Sequence, residues 1–274
     1  MKKLDWVAIN WFDYPDLPKA ILQIPISFDG IDQKQYLQLD TGCPDSILFG
    51  YQLSKLINEN DSSLNNDEIY FNGSIGEHNF SNFKFKHLKN FGEKRAKQGQ
   101  EKIGLLGTDF FNNKILVIDF IKNQILISDS LEIIDKLDYN FNFINTLNNP
   151  ENEMIFNITL NNCEIKKILY DTGHSTSSLK FLKKKDWQFF VSETDNKKLI
   201  KDSIRTIETN FNSYRQKTKG ILRIGKFIYN NPELAFDNNE LSKESKLNGI
   251  LGNKPFYNSF IILDFINFKF GVSR

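Results

Sequence analysis

Cysteine is nearly missing from this 274-residue chain; Cys43 and Cys163 are the only two. Two cysteines in a chain this long make no disulfide framework, and neither sits at zinc-ligand spacing, so the fold stands on its apolar core alone. A reducing compartment is compatible with that. A surplus of either charge is missing too. Lys and Arg number 35 against 34 Asp and Glu, for a formal net charge of +1. The basic excess that usually marks a nucleic-acid-binding domain is therefore absent. No apolar run approaches the roughly 18 residues that span a bilayer, so neither nucleic acid nor membrane is expected as a partner. Histidine is scarce, and His78, His87 and His174 have no metal-ligand spacing, so no metal and no cofactor is called for. Nor is a leader evident. Met1-Lys2-Lys3 is followed by Asp5, Asn10 and Asp13 rather than an apolar segment with a small-residue cleavage site. This favours a cytoplasmic location, with export left open if a leader was removed.

What the chain does contain is ordinary globular composition, 40% apolar and 25% charged, over a length that fits two domains of about 100–150 residues. It also contains itself twice. Residues 104–128, GLLGTDFFNNKILVIDFIKNQILIS, align without a gap on residues 249–273, GILGNKPFYNSFIILDFINFKFGVS, at an offset of 145. Nine of the 25 positions are identical, among them Gly104/Gly249, Leu106/Leu251, Gly107/Gly252, Asp119/Asp264 and Phe120/Phe265. Upstream, LQLDTG at 37–42 matches ILYDTG at 168–173, at an offset of 131. Each Asp-Thr-Gly is preceded by a strand-like hairpin, the first turning near Asp29-Gly30 and the second near Asn161-Asn162. Two repeats of this length are homologous halves rather than a solenoid. The expected division is 1–140 and 141–274, with the polar stretch around Pro150 as linker or connecting strand. The rest reads as all-β, short apolar strands between Asn, Gly and Asp turns. Short helices are expected around Ser46–Ile57 and Ser178–Phe190. Charged stretches at Glu93–Lys102 and Asn238–Leu247 read as solvated loops or helical turns.

A lone Asp-Thr-Gly is usually just a turn. Two copies, each closing an apolar strand in homologous halves, are different, because a twofold relation would bring Asp40 and Asp171 face to face. Gly42 and Gly173 permit the sharp turn beneath them. Two carboxyl groups about 3 Å apart do not both ionise cheaply; they share a proton and split their titrations. Such a pair takes a proton from water, aims it at a carbonyl and protonates the departing amine.

On these motifs the chain resembles the pepsin-like and retropepsin-like aspartic peptidases, in a compact, single-chain, bilobal bacterial form. The resemblance is carried by Asp40-Thr41-Gly42, Asp171-Thr172-Gly173, Leu105-Leu106-Gly107 and Ile250-Leu251-Gly252, in the same order in both halves. The segment GILGNKPFYNSFIILDFINFKFG is similar to the C-terminal segment of pepsin-like enzymes. The resemblance implies an all-β fold of two lobes related by a pseudo-twofold, acting as a monomer on a peptide or protein substrate. It makes Asp40 and Asp171 the catalytic dyad. It has Thr41 and Thr172 cross-bond beneath them, and Leu106-Gly107 and Leu251-Gly252 pack against the catalytic turns. Many relatives carry Ser or Thr after the glycine, bonded to the aspartate's outer oxygen; here Cys43 and His174 stand there. A thiol is a weak donor, which moves the expected optimum to the mildly acidic range, roughly pH 4–6. His174 either donates to the dyad or points to solvent.

The family's flap, a hairpin of the first lobe that closes over substrate, is expected at residues 68–80, with Gly73, Ser74 and Gly76 at a mobile tip and Tyr70 as its tyrosine. A less regular counterpart falls around Asn210–Gly220. The leading function is an aspartic endopeptidase. The alternative is a catalytically silent peptide-binding protein on the same scaffold. A two-carboxylate glycosidase accounts for the acids but not for the duplicated glycine motifs.

Overall fold

The computed structural model describes residues 4–14, 17–57, 62–92, 102–137, 139–191, 199–205, 210–237 and 245–273. Most of both charged stretches, 93–101 and 238–244, lies outside the described residues. The protein is mostly β, 51% strand, with three short α-helices among the described residues. None of the helices is long and apolar enough to cross a membrane. The helices expected after each Asp-Thr-Gly are shorter than the sequence suggests. Gly50–Leu53 and Lys184–Phe190 each follow a three-residue strand, Ile47–Phe49 and Leu179–Phe181, each ending in a phenylalanine, which takes the first turns of the expected helix into a sheet.

Three sheets carry the described residues. In the seven-stranded sheet the strand Leu17–Phe28 turns at Asp29-Gly30, where Gly30 takes a φ of +79°, and returns as Gln35–Leu39. Leu22, Ile24, Ile26 and Phe28 alternate into the core along it. In the nine-stranded sheet the matching hairpin, Ile155–Leu160 to Cys163–Tyr170, turns on Asn161 and Asn162, both at positive φ (+50° and +65°). Two left-handed residues in a row make a turn whose twist suits the flanking strands, and Asn tolerates it better than most side chains.

The same pairing pattern then occurs twice. Gln35–Leu39 runs parallel to Lys102–Leu106, with Leu39 opposite Leu106, and Cys163–Tyr170 runs parallel to Gly249–Leu251, with Tyr170 opposite Leu251. After each Asp-Thr-Gly the chain returns as Ile47–Phe49 or Leu179–Phe181, antiparallel to that same partner and parallel to His78–Leu88 or Glu233–Asp237. Each Asp-Thr-Gly therefore turns between two strands that flank one apolar-apolar-Gly strand.

The six-stranded sheet is built from both halves. Ile115–Asp119 lies antiparallel to Phe260–Asp264, with Val117 opposite Ile262, its own equivalent in the repeat. The outer strands are Gln124–Ser128 with Val7–Ala8 on one side and Lys269–Ser273 with Asn142–Asn145 on the other. The stretch read as a linker thus supplies an edge strand. The repeated Asp-Phe-Ile has a local cause. Asp119 Oδ1 accepts the N–H groups of Ile121 and Lys122, and Asp264 Oδ1 those of Ile266 and Asn267, at 2.8–3.0 Å. Each buried carboxylate thereby closes its own hairpin turn.

Candidate active site

Parallel pairing with the apolar-apolar-Gly strands delivers the two Asp-Thr-Gly turns to one place. Asp40 N–H donates to Leu106 O and Asp171 N–H to Leu251 O, both at 3.0 Å. Cys43 and His174 N–H groups close the turns onto Asp40 O and Asp171 O, both at 3.1 Å. Beneath the carboxyls the threonines are fully buried and bonded reciprocally. Thr41 N–H donates to Thr172 Oγ1 (2.9 Å) and Thr172 N–H to Thr41 Oγ1 (3.0 Å). The hydroxyls in turn donate across to Tyr170 O (3.1 Å) and Leu39 O (2.9 Å).

The glycines are reciprocal as well. A Cβ on Gly42 would stand 2.5 Å from Asp171 Cγ, and one on Gly173 would stand 2.7 Å from Asp40 Oδ2. Each aspartate packs on the bare backbone of the other turn, so only glycine leaves room for the two carboxyls to meet.

The two carboxyls share a hydrogen bond. Asp40 is pushed well above the ordinary carboxylate range, first by burial and then by the charge of Asp171. Asp171 is raised by burial too, but Lys180, the N–H groups of Gly173 and Gly42, and the Asp40 hydroxyl all favour its ionised form. Gly173 N–H reaches Asp171 Oδ1 at 2.7 Å. Burial raises both carboxyls, and the pair holds one proton in a titration that belongs to both residues together. A pair in this state has a base and an acid at the same pH.

Gly107 and Gly252 hold the turns from behind. A Cβ on Gly107 would fall 2.7 Å from Cys43 O, and one on Gly252 would fall 2.2 Å from His174 O. Gly107 N–H donates to Ser46 Oγ and Gly252 N–H to Ser178 O, which ties each apolar-apolar-Gly segment to the loop after its aspartate.

The side chains after the glycines depart from expectation. Cys43 Sγ donates to Asp45 O at 3.1 Å, not to Asp40, and burial with the nearby Asp40 charge pushes the thiol up to about 12. The optimum inferred from a thiol bonded to the aspartate loses its geometry. His174 neither faces solvent nor reaches the dyad. It is buried, its Nε2 bonds Ser177 Oγ at 2.8 Å, and burial holds it well below the usual histidine range. Neutral imidazole does not depress a carboxylate as the charged form would.

The hairpin read as a flap is formed by Glu68–Ile75 and His78–Leu88. Its tip is Gly76-Glu77, and the tip is moored. Glu77 N–H donates to Asp5 Oδ2 at 2.6 Å, and a Cβ on Gly76 would meet Val7 Cγ2 at 2.5 Å. Gly73 and Ser74 lie within the strand, opposite Phe28 and Ser27. Tyr70 is 51% exposed and bonds Glu68 Oε2. The expectation of a mobile tip at Gly73, Ser74 and Gly76, with Tyr70 over the dyad, is corrected: pairing with Leu17–Phe28 makes the hairpin part of the sheet wall. In the second half Ile200–Arg205 pairs with Asn210–Lys217, and the connecting residues 206–209 lie outside the described residues.

Several contributors escape a motif search. Asn253, equivalent to Thr108 in the repeat, accepts from Tyr170 Oη (2.8 Å) and donates to Thr172 O (2.7 Å). Asp109 grips Ser46 through both carboxylate oxygens at 2.9 and 2.6 Å. Its equivalent Lys254 grips the other loop at Thr176 O and bonds Glu233. Lys180, whose charge acts on Asp171, pairs with the buried Asp237 at 2.8 Å. Beside Asp40, Gln38 Nε2 makes a long 3.5 Å contact to Asp40 Oδ2 while its Oε1 accepts from Lys102. Retained equivalence at the 145-residue offset was the signal available for Asn253 and Lys254.

The chain matches no protein-family model and no curated protein sequence.

Proposed function

We propose that the protein is an aspartic endopeptidase of the pepsin-like and retropepsin-like kind, two lobes related by a pseudo-twofold with a peptide bound as an extended strand between them. The observation that carries the reading is the reciprocal threonine bonding beneath a proton-sharing aspartate pair. Val117 opposite its equivalent Ile262 supports the pseudo-twofold. One chain supplies both aspartates, so a monomer is complete.

Asp171, ionised, takes a proton from a water held between the carboxyls. The hydroxide adds to the scissile carbonyl while Asp40 gives its proton to the carbonyl oxygen. On collapse the C–N bond breaks and the proton on Asp171 goes to the leaving amine, while Asp40 recovers its own from the former carbonyl oxygen. The threonine and glycine bonds keep the carboxyls in register, which matters because a displacement of about 1 Å sacrifices much of the effect.

The test is cleavage of a mixed peptide library across pH, with and without a statine-type transition-state inhibitor. Internal cleavage that the inhibitor blocks and that Asp40→Asn lacks is the expected result. Inhibitor binding without cleavage at any pH points to the silent binding protein instead, and neither binding nor cleavage removes both.

A further inference from the structure

Each aspartate has a lysine acting on it, and the two lysines arrive from different strands. In the second half Lys180 lies on Leu179–Phe181, the strand after the Asp-Thr-Gly turn, and its charge favours ionised Asp171. Its equivalent at the 131-residue offset is the uncharged Phe49. In the first half the cation comes instead from the apolar-apolar-Gly strand. Lys102 Nζ lies over the Phe49 ring, 5.9 Å from its centroid, and its charge favours ionised Asp40.

A shift of register puts Lys102 in reach. Leu37, Gln38 and Leu39 stand opposite Gly104, Leu105 and Leu106, but Tyr36 stands opposite Lys102 rather than Ile103. Side chains alternate between faces along a strand, so Tyr36 and Gln38 share one. The extra residue therefore turns Lys102 onto the face of Gln38, as a bulge re-aims a side chain. In the second half Ile168–Tyr170 meets Gly249–Leu251 without a shift, and the equivalent of Gln38 is the buried, apolar Leu169.

Gln38 connects the cation to the dyad. It is 8% exposed; its Oε1 accepts from Lys102 Nζ, and its Nε2 lies 3.5 Å from Asp40 Oδ2. An ammonium group only donates, so Lys102 fixes the amide oxygen toward itself and leaves the NH2 facing the carboxyl. The other groups at Asp40 are Asp171 across the dyad, the Gly42 N–H, and the Cys43 thiol, which burial and the Asp40 charge push up to about 12 and so keep neutral. Around Asp171 stand Lys180, itself paired with Asp237, and Glu153 and Tyr170, which feel its charge, while His174 is held neutral.

We propose that Gln38 is a positioning residue of the dyad, which holds Asp40 Oδ2 and carries the charge of Lys102 to it. The proposal rests on the endopeptidase reading and names the pair that sets the pH range of that site. A donor to an ionised carboxylate favours the ionised form. Without the relay the dyad keeps its protons to higher pH, and the activity profile that follows its titration moves upward.

The experiment measures peptide cleavage across pH, and the dyad titration by NMR of isotope-labelled aspartate carboxyls, in the parent, Gln38→Leu, Gln38→Glu, Lys102→Met and Lys102→Arg, with thermal melts as a check on folding. Gln38→Leu installs the side chain that the second half carries at the equivalent position, and should move both readouts up by about 0.5–1 pH unit, the size of one donor lost from a carboxylate. Gln38→Glu keeps an acceptor for Lys102 but sets a carboxylate oxygen against Asp40, and should move them further. A residue that merely anchored Lys102 would tolerate that change. Lys102→Met should shift both by about half a unit, and Lys102→Arg, which keeps the charge and the donors, should match the parent. Should Gln38→Leu fail to fold, the other three variants decide in the same way. Unmoved or downward profiles and titrations overturn the relay and leave the peptidase standing; a titration that moves without the profile overturns the positioning role. If no peptide is cleaved at any pH, the endopeptidase reading fails and the titration alone decides: an upward shift sustains the relay, and an unchanged one overturns it.

Discussion

Replacing Thr41 by Val isolates the contribution of one hydroxyl, because the branched shape is kept. Thr41 Oγ1 performs two tasks at a fully buried position. It accepts the Thr172 N–H at 3.0 Å and donates to Tyr170 O at 3.1 Å. Without it the Thr172 N–H is stranded, at about 1–3 kcal/mol, and a carbonyl loses one bond, at about 1 kcal/mol. The expected loss is about 2–4 kcal/mol, or roughly 5–15 °C in Tm at about 2–4 °C per kcal/mol for a chain of this size. Urea unfolding followed by fluorescence should show the midpoint fall with an unchanged slope, the mark of altered stability rather than altered compactness. Thr172→Val should cost a similar amount, since it strands the Thr41 N–H and frees Leu39 O. The double variant should lose less than both singles together, because the first change lets water reach the second site and contacting residues couple by about 0.5–3 kcal/mol. If either single variant loses under about 0.5 kcal/mol, the size of an ordinary surface change, the crossed bonds do not hold the two turns together.

Four further outcomes follow from the site. Asp40→Asn and Asp171→Asn should each lower peptide cleavage by at least about a hundredfold, the lower range for a lost general acid or base, with circular dichroism unchanged. A carboxyl raised in the folded state contributes stability fully below its unfolded pKa and loses it as pH rises through its folded pKa. Asp40→Asn should therefore melt above the parent at pH 8, with the gap closing below about pH 4; a variant less stable than the parent at pH 8 contradicts the raised carboxyl. Lys180→Met strands the buried Asp237, about 3–5 kcal/mol, and removes a charge that favours ionised Asp171, so the acid limb of the activity profile should move to higher pH. Gly42→Ala drives a methyl to within 2.5 Å of Asp171 Cγ and should abolish turnover, measured on the library pool, even in samples that still unfold cooperatively.

Much of the site was legible because its residue types have few other uses in that arrangement. Duplicated Asp-Thr-Gly and apolar-apolar-Gly segments, in the same order, require two similar turns and two similar supports, and the threonine bonding follows from bringing those turns together. Side-chain direction was not legible. Cys43 and His174 occupy matching positions, yet one thiol turns to its own loop's carbonyl and one imidazole to Ser177, choices made by tertiary packing rather than by position in the motif. The 68–88 hairpin has the alternation and Gly-rich turn of a free arm. Its anchoring depends on Asp5, Val7 and Ser27, residues far away in the chain that no local pattern connects to it. The alignment of Asn10, Gln23 and Gln38 was invisible for the same reason, since they become neighbours only through the register of three strands.

A duplicated scaffold by itself would make the two aspartates equivalent, and a shared proton would have no preferred owner. The departures from equivalence decide it. Asp171 receives the N–H groups of both Gly173 and Gly42, and Lys180 stands near it. Asp40 receives the Gly42 N–H and a long contact from Gln38 Nε2, and the Lys102 charge reaches it past Gln38. More donors and a nearby lysine favour the anion at Asp171, while burial and the charge of Asp171 raise Asp40.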